Sequence, residues 1–524
     1  MSELPESSEA WRRHTPRRRR SRPTSTATWR YLVALVVVFG VALGVSAHFD
    51  TNVDQRFQFS LSGAPLGAAG LSTPSVASST KQESSWYCTW SLPAGVQSNG
   101  AALTLTNASK TTSTVLLYTS LSAKPIRNVS ITAWSSVSVP LSSISKTQTG
   151  GVTVIAKQGR SLATLSLPYG ATEVQSPCQV TPGFYWLAND LSTLSGDQIG
   201  LSLYNPFSTD AVVDVYSVTE QGSASPSSYQ GLIVPAGSTL RLRTKLLLAP
   251  VQGAAIEVRA RSGRIVLGAI ALRGDVHGSG LTFPLVTTRP SANWIFPYVP
   301  TGPGATSTVT IANPSARVVA VDLTLAPYAA SNPVSGNSGL TLSSTRLSVE
   351  VAPASVSVIP LGSQFKTPPK AAFQVDVTSR NQVGVAVSVG ATLPNPSGSP
   401  IFSEPATSPL TAANWIVLEP HASTADSTVF GKLAMRVGGG SGNLVTVSGR
   451  LLNAVISHHS REDAISSVEG AQTKEFNVVS SGILEVPPTN GDTVFFINAS
   501  SPLSVEPAYS ASSAGAFLAV PIRK

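Results

Sequence analysis

Four tryptophans recur at the pitch of a small β-domain, and the segments that follow them repeat as well. Trp90, Trp186, Trp294 and Trp415 stand 96, 108 and 121 residues apart. After the first three, an alternating apolar–polar run ends on an asparagine: GAALTLTN at Asn107, IGLSLYNP at Asn205 and STVTIANP at Asn313. A second alternating run follows each one: STVLLYT, AVVDVYSV and RVVAVDLTL. A period of two fits a strand with one buried face, and the Asn-Pro or Asn-Ala step between two such runs is a turn signal. The far end of each repeat corresponds too. GAAIEVRARSGRIVLGAIAL (253–272) aligns without a gap with KAAFQVDVTSRNQVGVAVSV (370–389), GGVTVIAKQGRSLATLSL (150–167) has the same form, and DTVFFINASSPLSVEPAY (492–509) is a weaker version. Each reads as a hairpin, two alternating strands about a tight turn.

Six or seven short strands in about 100 residues, with no amphipathic helix, predict a β-sandwich for each repeat. A propeller blade would need roughly 40–50 residues. The expected fold is therefore all-β, with tandem immunoglobulin-like β-sandwich modules at 85–175, 176–285, 286–405 and 406–524. Composition agrees, since charged residues are 12% of the chain against an ordinary value of about 25%. The fourth module departs most: it lacks the Asn-Pro step, carries GGGSG (438–442), and holds a polar insertion, SHHSREDAISSVEGAQTKE (457–475), read as a solvated loop. Terminal repeats are often atypical.

These modules are expected to follow a single N-terminal transmembrane helix over 31–49. YLVALVVVFGVALGVSA (31–47) holds no charge, eight arginines lie within residues 1–30, and Asp50 and Asp54 follow. That asymmetry places a basic tail (1–30) in the cytoplasm and the rest outside. A cleaved signal peptide is the competing reading, but a tail of 30 residues is long for one. Residues 50–84, rich in Ser, Ala, Gly and Thr, read as a flexible stalk. Of the net charge of +9, the tail supplies 8 − 3 = +5, so the folded part offers no basic face for nucleic acid. The membrane partner is lipid, through the anchor.

Two cysteines, Cys88 and Cys178, lie beyond the apolar segment. An even count outside the cytoplasm favours a disulfide, the alternative being two buried thiols. Such a bridge would tie the start of the first module to its junction with the second.

No catalytic constellation emerges. HExxH, a P-loop, a GxSxG elbow and zinc-ribbon spacings are all absent. GDVHGSG (274–280) is read as linker. His458 and His459 stand near Glu462 and Asp463, but adjacent residues on a strand point to opposite faces. No catalytic, cofactor-binding or metal-binding residue is nominated, and the chain is not expected to be an enzyme. The aromatic clusters around Trp86, Trp90, Trp186, Trp294 and Trp415 have two readings: ligand-facing platforms, or core plugs, which recurrence in every repeat favours. Asn107, Asn128 and Asn498 stand in Asn-x-Ser sequons.

The arginine-rich tail, the anchor, the Ser/Ala stalk, the Trp86-Tyr87-Cys88 cluster and the repeated NP-plus-PAGS modules resemble a family of uncharacterised actinobacterial membrane-anchored envelope proteins, defined as a domain of unknown function. That resemblance implies a cell-envelope location and brings no catalytic residues. The functional expectation is a non-enzymatic extracytoplasmic scaffold or binding protein whose partner is an envelope protein or a cell-wall glycan. The alternatives are a cell-wall carbohydrate-binding protein, which needs exposed tryptophans, and a surface hydrolase with its site in the fourth module.

Overall fold

The computed structural model describes most of residues 83–393 with their side chains and, outside that span, the backbone of strands at 76–77 and between 401 and 523. The tail, the anchor expected at 31–49 and the expected stalk up to residue 75 lie outside the described residues. Among the described residues no helix is long and apolar enough to cross a membrane. The fold is all-β.

A short strand β1 (Val76–Ala77) precedes the first repeat, which comprises β2 (Ser84–Ser91), β3 (Ala102–Asn107), β4 (Ser113–Tyr118), β5 (Arg127–Ile131), β6 (Ser135–Pro140), β7 (Thr149–Ala156), β8 (Ser161–Tyr169) and β9 (Thr172–Pro177). They form two antiparallel sheets, ordered β2-β7-β4-β5 and β6-β3-β8-β9. One core lies between them, with Leu103 and Leu105 from one sheet meeting Val152 and Val154 from the other. Strand β4 alternates buried and half-buried because only one of its faces enters that core.

The second repeat comprises β10 (Tyr185–Leu191), β11 (Gln198–Tyr204), β12 (Ala211–Thr219), β13 (Gly222–Ala224), β14 (Leu232–Val234), β15 (Thr239–Leu242), β16 (Ala254–Ser262), β17 (Val266–Arg273), β18 (Gly280–Thr282) and β19 (Val286–Thr287). Its sheets run β13-β12-β16-β10-β19, with β14 also on β12, and β15-β11-β17-β18. The third comprises β20 (Asn293–Val299), β21 (Thr306–Asn313), β22 (Val319–Pro327), β23 (Thr345–Val351), β24 (Ser355–Pro360), β25 (Phe373–Ser379), β26 (Ala386–Leu393) and β27 (Ile401–Ser403), in sheets β20-β25-β22-β23 and β24-β21-β26-β27. The order is the same in all three if β13 and β14 count together as a fourth strand and β19 is set aside as an addition to the second unit. The first strand, which carries the tryptophan, joins the sixth, third and fourth; the second, which ends on the asparagine, joins the fifth, seventh and eighth. We call these the tryptophan sheet and the asparagine sheet.

Two expectations need correction. The far-end pairs β7–β8, β16–β17 and β25–β26 are not hairpins, because the members of each pair lie in opposite sheets. Alternation reports one buried face, and a hairpin and an arch crossing the core have the same alternation. At the second arch, Gly263 has φ +72°, and a β-carbon there would come within 2.8 Å of Ala211 Cβ. The strand order also departs from the immunoglobulin constant domain, where the first strand pairs with the second. Here β2 pairs with β7. The likeness extends to two packed antiparallel sheets of similar size.

The fourth repeat comprises β28 (Ala412–Leu418), β29 (Gly431–Val437), β30 (Asn443–Leu451), β31 (Val455–His458), β32 (Arg461–Ala464), β33 (Val468–Val478), β34 (Ser481–Val486), β35 (Val494–Ala508) and β36 (Leu518–Arg523), joined with β1 in one ten-stranded sheet. Strand β35 takes two places at once. Its first half pairs with β28 and β30, as a sixth strand does, and its second half pairs with β29, as a seventh does. The polar insertion is not a loop: β31 and β32 form a tight hairpin with His458 opposite Arg461, and β33 pairs with β30. Charged residues suit an edge strand such as β32. The end of the expected stalk is also paired, since Val76 and Ala77 lie parallel to Ile522 and Arg523.

Candidate functional site

The residues that recur in the sequence are fasteners inside each unit. Trp186 Nε1 donates to Ile265 O at 2.7 Å and Trp294 Nε1 to Val385 O at 2.9 Å, each on the arch between the sixth and seventh strands. In the first unit the indole that does this is Trp86, donating to Ser161 O at 3.2 Å, so Trp86 rather than Trp90 is the structural counterpart. Trp86, Trp90, Trp186 and Trp294 are each 1% exposed. None of these four is a ligand-facing platform, because each indole is consumed by its own core. Trp415 lies on β28 opposite Ile497 and Pro521, and its side chain is outside the described residues.

The asparagines fasten the arch from the second strand to the third. Asn313 Nδ2 donates to Arg317 O at 2.7 Å, Ala352 O at 2.9 Å and Val351 O at 3.1 Å, while its Oδ1 accepts from Ser315 N at 3.0 Å. Asn107 holds Thr111 O, Thr132 O and Ile131 O in the same way, and Asn205 holds Thr209 O and Val234 O. All three are fully buried. The Asn-x-Ser sequon at Asn107 is therefore shielded, while Asn128 is exposed on β5.

Cys88 and Cys178 form a disulfide with their Cα atoms 4.7 Å apart. Beside it, Tyr87 and Gln179 exchange backbone hydrogen bonds of 2.7 and 3.1 Å. The bridge thus clamps the first strand of the first unit to the segment leaving that unit.

The junctions between units are built as tightly as the cores. The outer face of the first tryptophan sheet lies on the outer face of the second asparagine sheet. Thr89 Oγ1 donates to Ser202 Oγ at 2.9 Å, and the Thr153 and Tyr204 hydroxyls are 3.0 Å apart. A β-carbon on Gly268 would sit 2.5 Å from Thr89 O, so the two backbones touch. The next junction repeats the arrangement: Leu187, Val218 and Ala255 pack on Ala312, Val356 and Ala386. Asn189 and Asp190 stand where the pairing of β10 with β16 is interrupted, and Asp190 has φ +59°. From there Asn189 Nδ2 donates to Thr310 O at 3.0 Å and Ser388 Oγ at 3.1 Å, and Asp190 Oδ1 accepts from Thr310 Oγ1 at 2.8 Å. Arg273 Nη2 donates to Asp190 O at 2.7 Å, and its Nη1 lies 3.8 Å from Asp197 Oδ2. Buried charges are tolerated only when paired in this way. At the third junction β20 lies against β29 and β35.

Electrostatics follow the packing. Burial raises the phenols of Tyr87, Tyr185 and Tyr204, all at junctions; Tyr204 is pushed up to about 12. On the third tryptophan sheet, hydrogen bonds from Arg380, Ser348 and Arg346 hold the Asp322 carboxyl well below the usual carboxylate range. Asp214, in the same strand position of the second unit, is lowered chiefly by Arg261. Among the described residues no three His, Cys, Asp or Glu side chains converge as a metal site.

Residues 176–286, the segment that carries the second unit from β10 into β19, match a family described as "Family of unknown function (DUF5719)". No curated protein and no solved structure matches the chain.

Proposed function

We propose that this protein is a non-enzymatic scaffold of the cell envelope, displaying immunoglobulin-like sandwich units on one N-terminal anchor at 31–49, with the N-terminus cytoplasmic and the array outside the cell. The observation that carries this reading is the character of the junctions. Units joined by touching backbones and buried polar ties hold a fixed spacing, whereas beads on flexible linkers do not. The disulfide supports an oxidising compartment. The carbohydrate-binding alternative loses its platform at four of the five tryptophans, leaving Trp415 as its remaining candidate.

The test is cross-linking of the full-length protein in its own envelope, followed by identification of the linked species, for the wild type and a Gly200→Val variant. A scaffold loses discrete protein partners when the junction is wedged open. Retention of the wild-type chain on cell-wall polysaccharide, lost on Trp415→Ala, would replace the scaffold reading with the carbohydrate one.

A further inference from the structure

In the second and third units, the outer face of the asparagine sheet is where the preceding unit docks. The paired asparagines Asn107, Asn205 and Asn313 put Thr104, Ser202 and Thr310 in one equivalent position, and the seventh strands add Thr164, Gly268 and Ser388. Ser202 and Thr310 are engaged by the unit before them, through Thr89 and through Asn189 with Asp190. Thr104 heads a face of the same small, hydroxyl-rich kind. It shares hydrogen bonds with Ser166 Oγ at 3.0 Å and Ser138 Oγ at 3.3 Å, while Thr106 meets Ser136 Oγ at 2.9 Å. These side chains point away from the core that Leu103 and Leu105 enter. Yet Thr104 is 6%, Ser166 2%, and Thr106 and Thr164 0% exposed. A bare outer sheet face leaves such residues open to water, so the β3–β8 part of this one is covered, while Ser138 on β6 is exposed. Residues 1–83 do not carry the tryptophan-to-asparagine pattern of the repeats.

The elements found beside this sheet are β36, from the other end of the chain, and β1, which precedes β2. Strand β36 lies against β9, and β1, paired in parallel with β36, lies against β8. We infer that the array is closed within one chain: the fourth unit, through β36 with β1 alongside, docks on the first asparagine sheet where the other units receive a predecessor. The closure explains both the burial of this face and a parallel pairing between residues 76–77 and 522–523.

The experiment uses the full chain in detergent and does not depend on what the scaffold binds. The native cysteines are consumed in one disulfide, so an added pair reports cleanly. Val76→Cys with Ile522→Cys, at partner positions in the pairing, is expected to oxidise to a linked monomer, identified by the 76–522 peptide under non-reducing digestion. A disulfide-linked dimer would overturn closure within one chain in favour of exchange between copies, and absence of the bond would overturn the docking itself. Separately, Thr106→Cys is expected to react with a maleimide at least about tenfold more slowly in the full chain than after deletion of 518–524. Fast labelling of the full chain, or equal protection in both chains, would overturn the assignment. Resistance of the Cys88–Cys178 bond to added reductant in each variant shows that the first unit is folded.

Discussion

The carbonyl oxygen of Ser91 occupies the place where a side chain on Gly200 would begin: a β-carbon at 200 would lie 1.7 Å from it. The two residues belong to different units, so the absence of one atom sets how closely the first two units approach. A side-chain clash can often be relieved by a rotamer change, but a clash with backbone requires a strand to move.

Gly200→Ala should therefore separate the first two units while leaving each core intact. Inserting atoms into well-packed protein costs about 1–3 kcal/mol, and the upper end is expected because Ser91 O cannot rotate away. Gly362→Ala is the control, since a β-carbon there meets nothing within 4 Å. Calorimetry should show the Gly200 variant losing the cooperativity between the first and second units, with the Gly362 variant unchanged.

Asn313→Ala should destabilise the third unit by about 3 kcal/mol, because each lost net hydrogen bond is worth about 1 kcal/mol and buried carbonyls left unpaired cost more. Two N–H donors shared among three carbonyls are lost at once, together with the acceptor that holds Ser315. Asn313→Asp should be at least as harmful, since it sets a carboxylate against those same oxygens. Denaturant midpoints of the two variants would check both, with Asn381→Ala, an exposed donor to Val318 O, close to wild type.

What the sequence made legible was the strand content and the cysteine pair; what it hid was which sheet each strand joins. The runs around Gly263 alternate as a hairpin does, and nothing local records that β16 and β17 diverge into opposite sheets. The same blindness misplaced the first tryptophan. Trp90 and Trp86 stand 17 and 21 residues before Asn107, equally far from the 19 of the other two units, and it is Trp86 that reaches the arch carbonyl, which only the register of β2 on β7 reveals. The junctions left a fainter trace. Small residues at Gly200, Ser202 and Gly268 interrupt otherwise apolar strands, as close backbone approach demands, and they could have been read as contact faces once strand pairing was known. The polar run at 457–475 misled because a hydrophilic edge strand and a loop share a composition.

Replacing Cys88 and Cys178 together by Ala should remove roughly 4–5 kcal/mol, the chain-entropy value for a closed loop of this order, here a separation of 90 residues. Both sulfurs are buried at 1% and 3% exposure. A reductant should accordingly fail to open the bond in the folded protein and succeed only after the first unit unfolds. Thiol labelling against denaturant concentration, with and without reductant, would show the two events moving together. Reduction well below the unfolding midpoint would refute this.

The junction tyrosines set an alkaline limit. Burial favours the neutral phenol of Tyr204 and raises its pKa from 10.0 to about 12. A group whose folded pKa lies above its unfolded one contributes stability that is complete below the unfolded value and fades as pH climbs through the folded one. Stability should thus be flat to about pH 10 and fall between 10 and 12, by up to about 3 kcal/mol for this residue. Tyr87 and Tyr185 shift in the same direction and steepen the fall. Tyr204→Phe loses the bond with Thr153, so it should be less stable than wild type near neutrality, by about 1 kcal/mol, yet lose less on going from pH 10 to 12. The two stability curves converge and then cross as pH rises, because the loss from Tyr204 exceeds the initial gap. Denaturant titrations across that range, followed together with phenolate absorbance, would detect the convergence; parallel curves would mean that Tyr204 titrates as freely in the folded protein as in the unfolded chain.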